Sequence, residues 1–326
     1  MMKILIVGYG SMGRRRIRLL QHMSADYTFI CVDNNAKRLE QISADGYKGF
    51  ARLSDAIAQK PDAAFVCTSP GHHAEIILEI IEAGIHVFTE LNLISYRYDE
   101  IISKANEKHV KVFMSNTMLY DKQILSIMEK VGTNPNHLSY IYHVGQYLPD
   151  WHPWESYKDF FIGRKETNGC REILAIQLPW IVKLFGNVIN INVIRSKNTQ
   201  LEIDFDDTFI ISLEHENGNT GVFVCDVLAR KAVNYLEIMG EELYLTWNGT
   251  PESLFVLDNA TQRMELLDSY SGAAHVEGYA DIIFEDQYAD EIQAFLDYID
   301  SGKQPCYTLQ DDRLILGLID EIEGKK

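Results

Sequence analysis

Positive charge is scarce in this chain. Its 326 residues hold 30 Lys and Arg against 47 Asp and Glu, a net charge of −17. A surface of that sign does not gather phosphate backbones or anionic headgroups, which argues against nucleic acid or a membrane as the main partner. Long apolar runs are lacking too: none approaches the ~18–20 residues that cross a bilayer. The run at 4–7 is too short for a signal segment and leads straight into glycines, so it predicts a buried strand. Cysteine is sparse and scattered: Cys31, Cys67, Cys170, Cys225 and Cys306 form no CxxC and no Cys/His cluster. Neither a structural zinc nor a disulfide framework is expected, and free thiols in an acidic chain place it in the cytoplasm.

What is present is an alternation. Apolar runs at 4–7, 27–32, 63–67, 85–88 and 110–114 are separated by helical patterns such as Ile17, Leu20 and Met23. Short, fully apolar strands between amphipathic helices predict a doubly wound parallel sheet covered on both faces. Beyond Tyr120 the rhythm changes. Strand-like runs at 138–144, 187–194, 208–213, 222–227, 235–238, 243–247 and 253–257 follow at short spacing, with helices expected at 171–185 and 287–300. They predict a largely antiparallel sheet, open on at least one face, in an α+β domain. The expected division is therefore a dinucleotide-binding domain at 1–119 and a substrate and oligomerisation domain at 120–326.

The chemistry-bearing motif comes first. Gly8, Gly10 and Gly13 form a GxGxxG with Ser11 and Met12, after a strand and opening a helix. The first glycine permits the tight turn, the second a close approach of backbone to a pyrophosphate, and the third packing of helix on strand. The helix N-terminus then offers unpaired N–H groups to phosphate. Asp33 follows Gly13 by 20 residues. It stands where an acid binds the adenosine ribose hydroxyls and repels a 2′-phosphate, which favours NAD over NADP.

Together the segments resemble the glucose–fructose oxidoreductase/inositol 2-dehydrogenase (Gfo/Idh/MocA) family. GYGSMGRRR resembles its opening loop and helix, VCTSPGHHAE its fourth strand and the turn over the cofactor, and GIHVFTE the run to its Glu-Lys-Pro motif. VGQYLPDW is similar to a subgroup tied to bacterial surface-sugar biosynthesis. The resemblance implies a Rossmann domain and adds Asn34, Thr68, Ser69, His73, Glu90 and Asn116 to the cofactor set. It also implies that residues 305–326 return toward the first domain. Two departures stand out. The family's lysine after Glu90 is Leu91 here, with Asn92 in place of proline. Its second-domain acid/base histidine falls on Ile176 or Gln177, while Glu172 stands for its aspartate.

A substitute proton acceptor is therefore sought. His152 exchanges protons near neutral pH and sits in an aromatic stretch, 151–158. Tyr157 and Glu172 stand behind it. Trp151, Lys158, Arg171 and Gln177 are candidate substrate contacts. The alternatives stay open: a solvent-facing loop for His152, and a salt bridge for Arg171 and Glu172. His72 and His73 suit capping or packing, His86 a structural place, and His143 either face of a strand. Asp204, Asp206 and Asp207 suit a turn rather than a metal. The leading reading is an NAD-dependent oxidoreductase acting on a sugar, nucleotide sugar or polyol. A silent NAD-binding sensor, or an epimerase or lyase that uses bound NAD transiently, are the alternatives. An open apolar sheet face also suits a homodimer or homotetramer.

Overall fold

A computed structural model describes residues 2–151, 156–267 and 285–325. In chain order the first elements are β1 (Met2–Val7), α1 (Ser11–Met23), β2 (Tyr27–Val32), α2 (Ala36–Ala44), β3 (Lys48–Phe50), α3 (Leu53–Ile57), β4 (Ala63–Val66), α4 (His73–Glu82), β5 (His86–Thr89), α5 (Tyr98–Glu107) and β6 (Val112–Met114). Then follow α6 (Lys122–Gly132), β7 (Ser139–Gly145), α7 (Gly169–Phe185), β8 (Val188–Ser196), β9 (Thr208–His215), β10 (Thr220–Asp226), β11 (Val233–Met239), β12 (Tyr244–Trp247), β13 (Phe255–Asp258), β14 (Arg263–Leu266), α8 (Asp286–Ser301) and α9 (Leu309–Ile322).

These elements form two units: residues 1–117 with 288–314, and residues 118–287 with 315–326. The chain thus passes from one unit to the other three times. The reason is visible in α8. Its Phe295 is fully buried and meets the rings of Phe65, Phe88 and Phe113 edge-on at 5.4, 5.6 and 5.8 Å. Those three rings lie on β4, β5 and β6 and stack across the sheet at 4.8 and 5.1 Å. Edge-on and offset contacts at these distances add to simple burial.

The first unit carries the expected sheet, six parallel strands in the order β3-β2-β1-β4-β5-β6. Continuous apolar runs suit it because both faces are covered. From β1 the chain winds first to β2 and β3 and then to β4, β5 and β6. A topological switch point therefore lies between β1 and β4, and ligands of such sheets bind outside the carboxyl ends of the strands there.

The second unit has an eight-stranded sheet, β14-β13-β12-β11-β7-β10-β9-β8, antiparallel except for β7 and β10. Strand β9 shows why one face is covered: Phe209, Ile211 and Leu213 are buried, and the residues between them are exposed or half-buried. Helix α7 packs on the buried face, with Tyr140 stacked on Phe185 at 4.1 Å and Tyr142 edge-on to Trp180 at 5.2 Å. The other face presents Ile141, Ile194 and Ile210 to solvent.

Candidate functional site

The glycine loop is built as its spacing predicted. Gly8 has φ 96°, and a Cβ on it would stand 2.7 Å from the Cys67 carbonyl oxygen. A Cβ on Gly13 would collide with the Gly8 carbonyl, so α1 can sit against β1 only with glycine there. The N-cap of α1 is Gly10, with no side-chain cap and no acidic residue in the first turn. Its first N–H groups are thus left to an outside acceptor, and the helix dipole favours an anion there. Ser11, Asn34 and Ser69 are exposed around this loop.

Asp33 is fixed rather than free. Its Oδ2 accepts the Tyr9 N–H at 2.8 Å and its Oδ1 the Asn35 N–H at 2.9 Å. Its carboxylate also meets Arg38 Nη1 at 3.4 Å, a neighbour that sequence spacing alone did not reveal.

Two buried polar atoms near the strand ends lack a partner among the described residues: the Thr68 hydroxyl after β4 and the Asn116 amide oxygen after β6. Unpaired buried groups cost about 1–3 kcal/mol each. Left open at the carboxyl ends of the strands, with Thr68 beside the Gly8 turn, they fit a polar group supplied from outside the chain. The Thr68 backbone is itself held: His73 Nε2 lies 2.8 Å from its carbonyl oxygen. His73 Nδ1 bonds the Asn92 amide oxygen, Asn92 Nδ2 donates to Tyr98 at 2.9 Å, and Tyr98 donates to buried Asp312 at 2.6 Å. Burial holds the His73 imidazole below its ordinary pKa. His73 is thus a buried structural link to the turn rather than an exposed ligand.

Glu90 sits at the end of β5 and is gripped by Arg16 of α1, Nε to Oε1 at 2.6 Å and Nη2 to Oε2 at 3.0 Å. The same guanidinium reaches Glu291 of α8 at 2.7 Å, and Ser115 donates to Glu291 at 2.9 Å. Burial opposes the charge on Arg16, but Glu90 and Glu291 outweigh it and raise its pKa. Burial raises the Glu291 pKa, only partly offset by Arg16.

In the second unit the first turn of α7 carries a different group. Asn168 caps it by accepting the Arg171 N–H at 2.8 Å. Glu172 follows, and no hydrogen bond or ion pair reaches its carboxylate among the described residues. Desolvation alone pushes its pKa up to about 7. Positions three apart share a helix face. Glu172 therefore lies on the side of Gly169, where a Cβ would touch Leu148, Val227 and, at 3.4 Å, Trp151. Trp151 donates its indole N–H to the Gln146 carbonyl at 3.0 Å. A carboxyl whose pKa burial raises toward neutrality can take or give a proton at physiological pH.

Residues 2–116 match the family model described as the oxidoreductase family, NAD-binding Rossmann fold. Over these residues the chain is similar to the Gfo/Idh/MocA family. Among curated proteins, mouse biliverdin reductase A is 29% identical over 130 residues, 39% of this chain and 41% of that protein. The match thus spans about two fifths of that relative. Two solved structures share the fold over nearly their whole length. The WlbA dehydrogenase of Bordetella pertussis, in complex with NADH and UDP-GlcNAcA, is 17% identical at a TM-score of 0.76 and covers 98% of this chain and 95% of its own. Biliverdin reductase from Synechocystis, in complex with biliverdin and NADP+, is 16% identical at a TM-score of 0.76, covering 98% and 97%.

Against the family pattern, Leu91 is half-buried and apolar, and Asn92 has become the hydrogen-bonded link between His73 and Tyr98. Of the two positions open for the histidine, Gln177 is buried, its amide oxygen accepting from Tyr142 and Trp180 at 2.8 Å each. Ile176 instead lies one turn from Glu172 on the half-buried face.

Other sequence candidates go elsewhere. Arg171 is buried and bound to Glu323 and, at 2.9 Å, to Asp320, the salt-bridge alternative rather than a free substrate contact. Tyr157 accepts the Glu202 N–H at 3.3 Å, and Lys158 pairs with the Glu202 carboxylate at 2.5 Å, so both face that loop. His152 lies outside the described residues. His143 pairs with Asp226 at 2.7 Å on the open sheet face. Asp207 accepts the N–H groups of Asn198 and Thr199 and so braces a loop. No group of three or more His, Cys, Asp or Glu suited to a metal occurs among the described residues. No helix there is long and apolar enough to cross a membrane.

Proposed function

We propose that this protein is a pyridine-nucleotide-dependent oxidoreductase that moves a hydride between NAD(H) and an alcohol carbon of a sugar, nucleotide sugar or polyol. In this reading the glycine loop (Gly8, Gly10, Ser11, Met12 and Gly13) and the N-terminus of α1 hold the pyrophosphate. Asp33 and Asn34 take the adenosine ribose. Thr68, Ser69, Glu90 and Asn116 line the strand ends, with His73 fixing the Thr68 turn. The nicotinamide supplies the hydride acceptor when bound. Glu172 takes the hydroxyl proton, and Trp151 offers an aromatic face to a sugar ring.

The observation that carries the reading is Glu172: a carboxyl on the half-buried face of α7 with no partner among the described residues, its pKa raised by burial to about 7. The complex of the structurally similar WlbA dehydrogenase with NADH and UDP-GlcNAcA supports the substrate class. A screen of nucleotide sugars and free polyols, followed by dihydronicotinamide absorbance, tests it. Turnover in the parent and its loss in Glu172→Gln, with NADH still bound, is expected. NADH binding with no turnover on any member favours the silent sensor, the reading that apolar Leu91 and Ile176 support. Cytoplasmic location and a homodimer through the open sheet face belong to the same proposal; the exposed Ile141, Ile194 and Ile210 support the latter.

A further inference from the structure

The acid at the ribose position has a cationic neighbour. Arg38 lies in the first turn of α2, and its guanidinium rests flat against Gly10. Its Nη1, Cζ and Nη2 stand 3.8, 3.9 and 3.9 Å from where a Cβ on Gly10 would be. Its Nη1 is 3.4 Å from Asp33 Oδ2. The two side chains differ in freedom: the Arg38 side chain is 49% exposed and that of Asp33 only 4%. Asp33 is pinned by the N–H groups of Tyr9 and Asn35. Arg38 is tied to it by one long contact, and Lys37 beside it is exposed.

A lone carboxylate at this place repels a 2′-phosphate. A guanidinium at its side cancels that charge and presents a planar fork that matches phosphate oxygens. A half-exposed pair of this length is weak, so the arginine can leave the acid for a better acceptor. We infer that Arg38 is a cofactor-specificity residue that admits the 2′-phosphate of NADP(H) beside Asp33. The pocket then has two settings, Asp33 toward the ribose hydroxyls of NAD(H) or Arg38 on the phosphate of NADP(H). This rests on the pyridine-nucleotide reading above.

The test measures dissociation constants for NADH and NADPH, and for ADP and 2′,5′-ADP, with the full chain, Arg38→Ala and Arg38→Lys. The parent is expected to bind NADPH within about tenfold of NADH. Loss of a hydrogen bond to a charged group costs about tenfold or more in affinity. Arg38→Ala should therefore weaken NADPH and 2′,5′-ADP by that factor while NADH and ADP move less than about threefold, and Arg38→Lys should recover part of the loss. Equal weakening of all four ligands, or an unchanged affinity for NADPH, overturns the inference while leaving the functional reading intact. A parent that binds neither dinucleotide overturns both.

Discussion

Glu172 and Ile176 are one turn apart on α7 and are the half-buried residues of its first two turns, which are otherwise buried from Gly169 to Gln177. A titratable carboxyl and an aliphatic side chain thus share the face on which a carboxylate and an imidazole would make a proton-transfer pair. With Ile176 unable to titrate, the proton relay proposed for this face rests on Glu172.

That gives a pH signature. The Glu172 pKa is raised from 4.5 to about 7 by desolvation. As a base it is active when ionised, so kcat/KM for alcohol oxidation should rise with pH and level off above about 7, and Glu172→Gln should remove this limb with about 10²–10⁴ of the rate. Stability should move the opposite way. Between 4.5 and about 7 the folded chain keeps a proton that the unfolded chain releases, so the Glu172 contribution is full below 4.5 and lost as pH rises through 7. Urea titrations should show the parent losing more stability over that window than Glu172→Gln; equal slopes would contradict the assignment.

The sequence made the local features legible. The spacing of Gly8, Gly10, Gly13 and Asp33 is a short-range pattern imposed by one turn and one strand. The 208–213 run marked a strand, and its burial alternates because one sheet face is covered. What remained hidden depends on distant pairs. Arg16 meets Glu90 across 74 positions and Glu291 across 275, and Arg171 meets Glu323 across 152. No periodicity encodes such partners, so Arg171 stayed open between a salt bridge and a substrate ligand. Strands β3 and β14 escaped because Lys48–Phe50 and Arg263–Leu266 are too short and too polar to stand out. The parallel pairing of β7 with β10 also left no local trace.

The buried ionic cluster should govern the stability of the first unit. Arg16→Gln leaves two carboxylates in the interior without a cation, and removing one partner of a buried pair costs about 3–5 kcal/mol. Glu291→Gln should cost much less, because burial already favours the neutral form of that carboxyl and the Ser115 hydroxyl can still donate to the amide oxygen. Chemical denaturation that places Glu291→Gln below Arg16→Gln would refute this ordering.

Asn92 offers a narrower test. Asn92→Pro restores the family residue but removes the amide that joins His73 to Tyr98. Two buried hydrogen bonds are lost, and His73 Nδ1 keeps only Thr89 Oγ1 at 3.3 Å. A loss of about 1–3 kcal/mol is expected. An unchanged or higher melting temperature would show that the chain gains nothing from the asparagine.

The last prediction concerns repair of the altered site. If the oxidoreductase reading holds, Leu91 stands where the family has a cation near the reacting hydroxyl, and Ile176 where it has an imidazole. Groups that act as a unit are strongly non-additive: one returned without the other contributes little. Leu91→Lys alone should therefore raise kcat/KM by less than about tenfold, and Ile176→His alone by no more. The double variant should exceed the product of the two, since a histidine one turn from Glu172 gives that carboxyl a partner. The three variants are compared on whichever substrate the screen identifies, with NADH affinity measured in parallel. A large gain from Leu91→Lys alone would mean that a complete acid/base, Glu172 or another, is already in place and lacked only the cation. Additive small gains would mean that the two positions do not meet at one substrate.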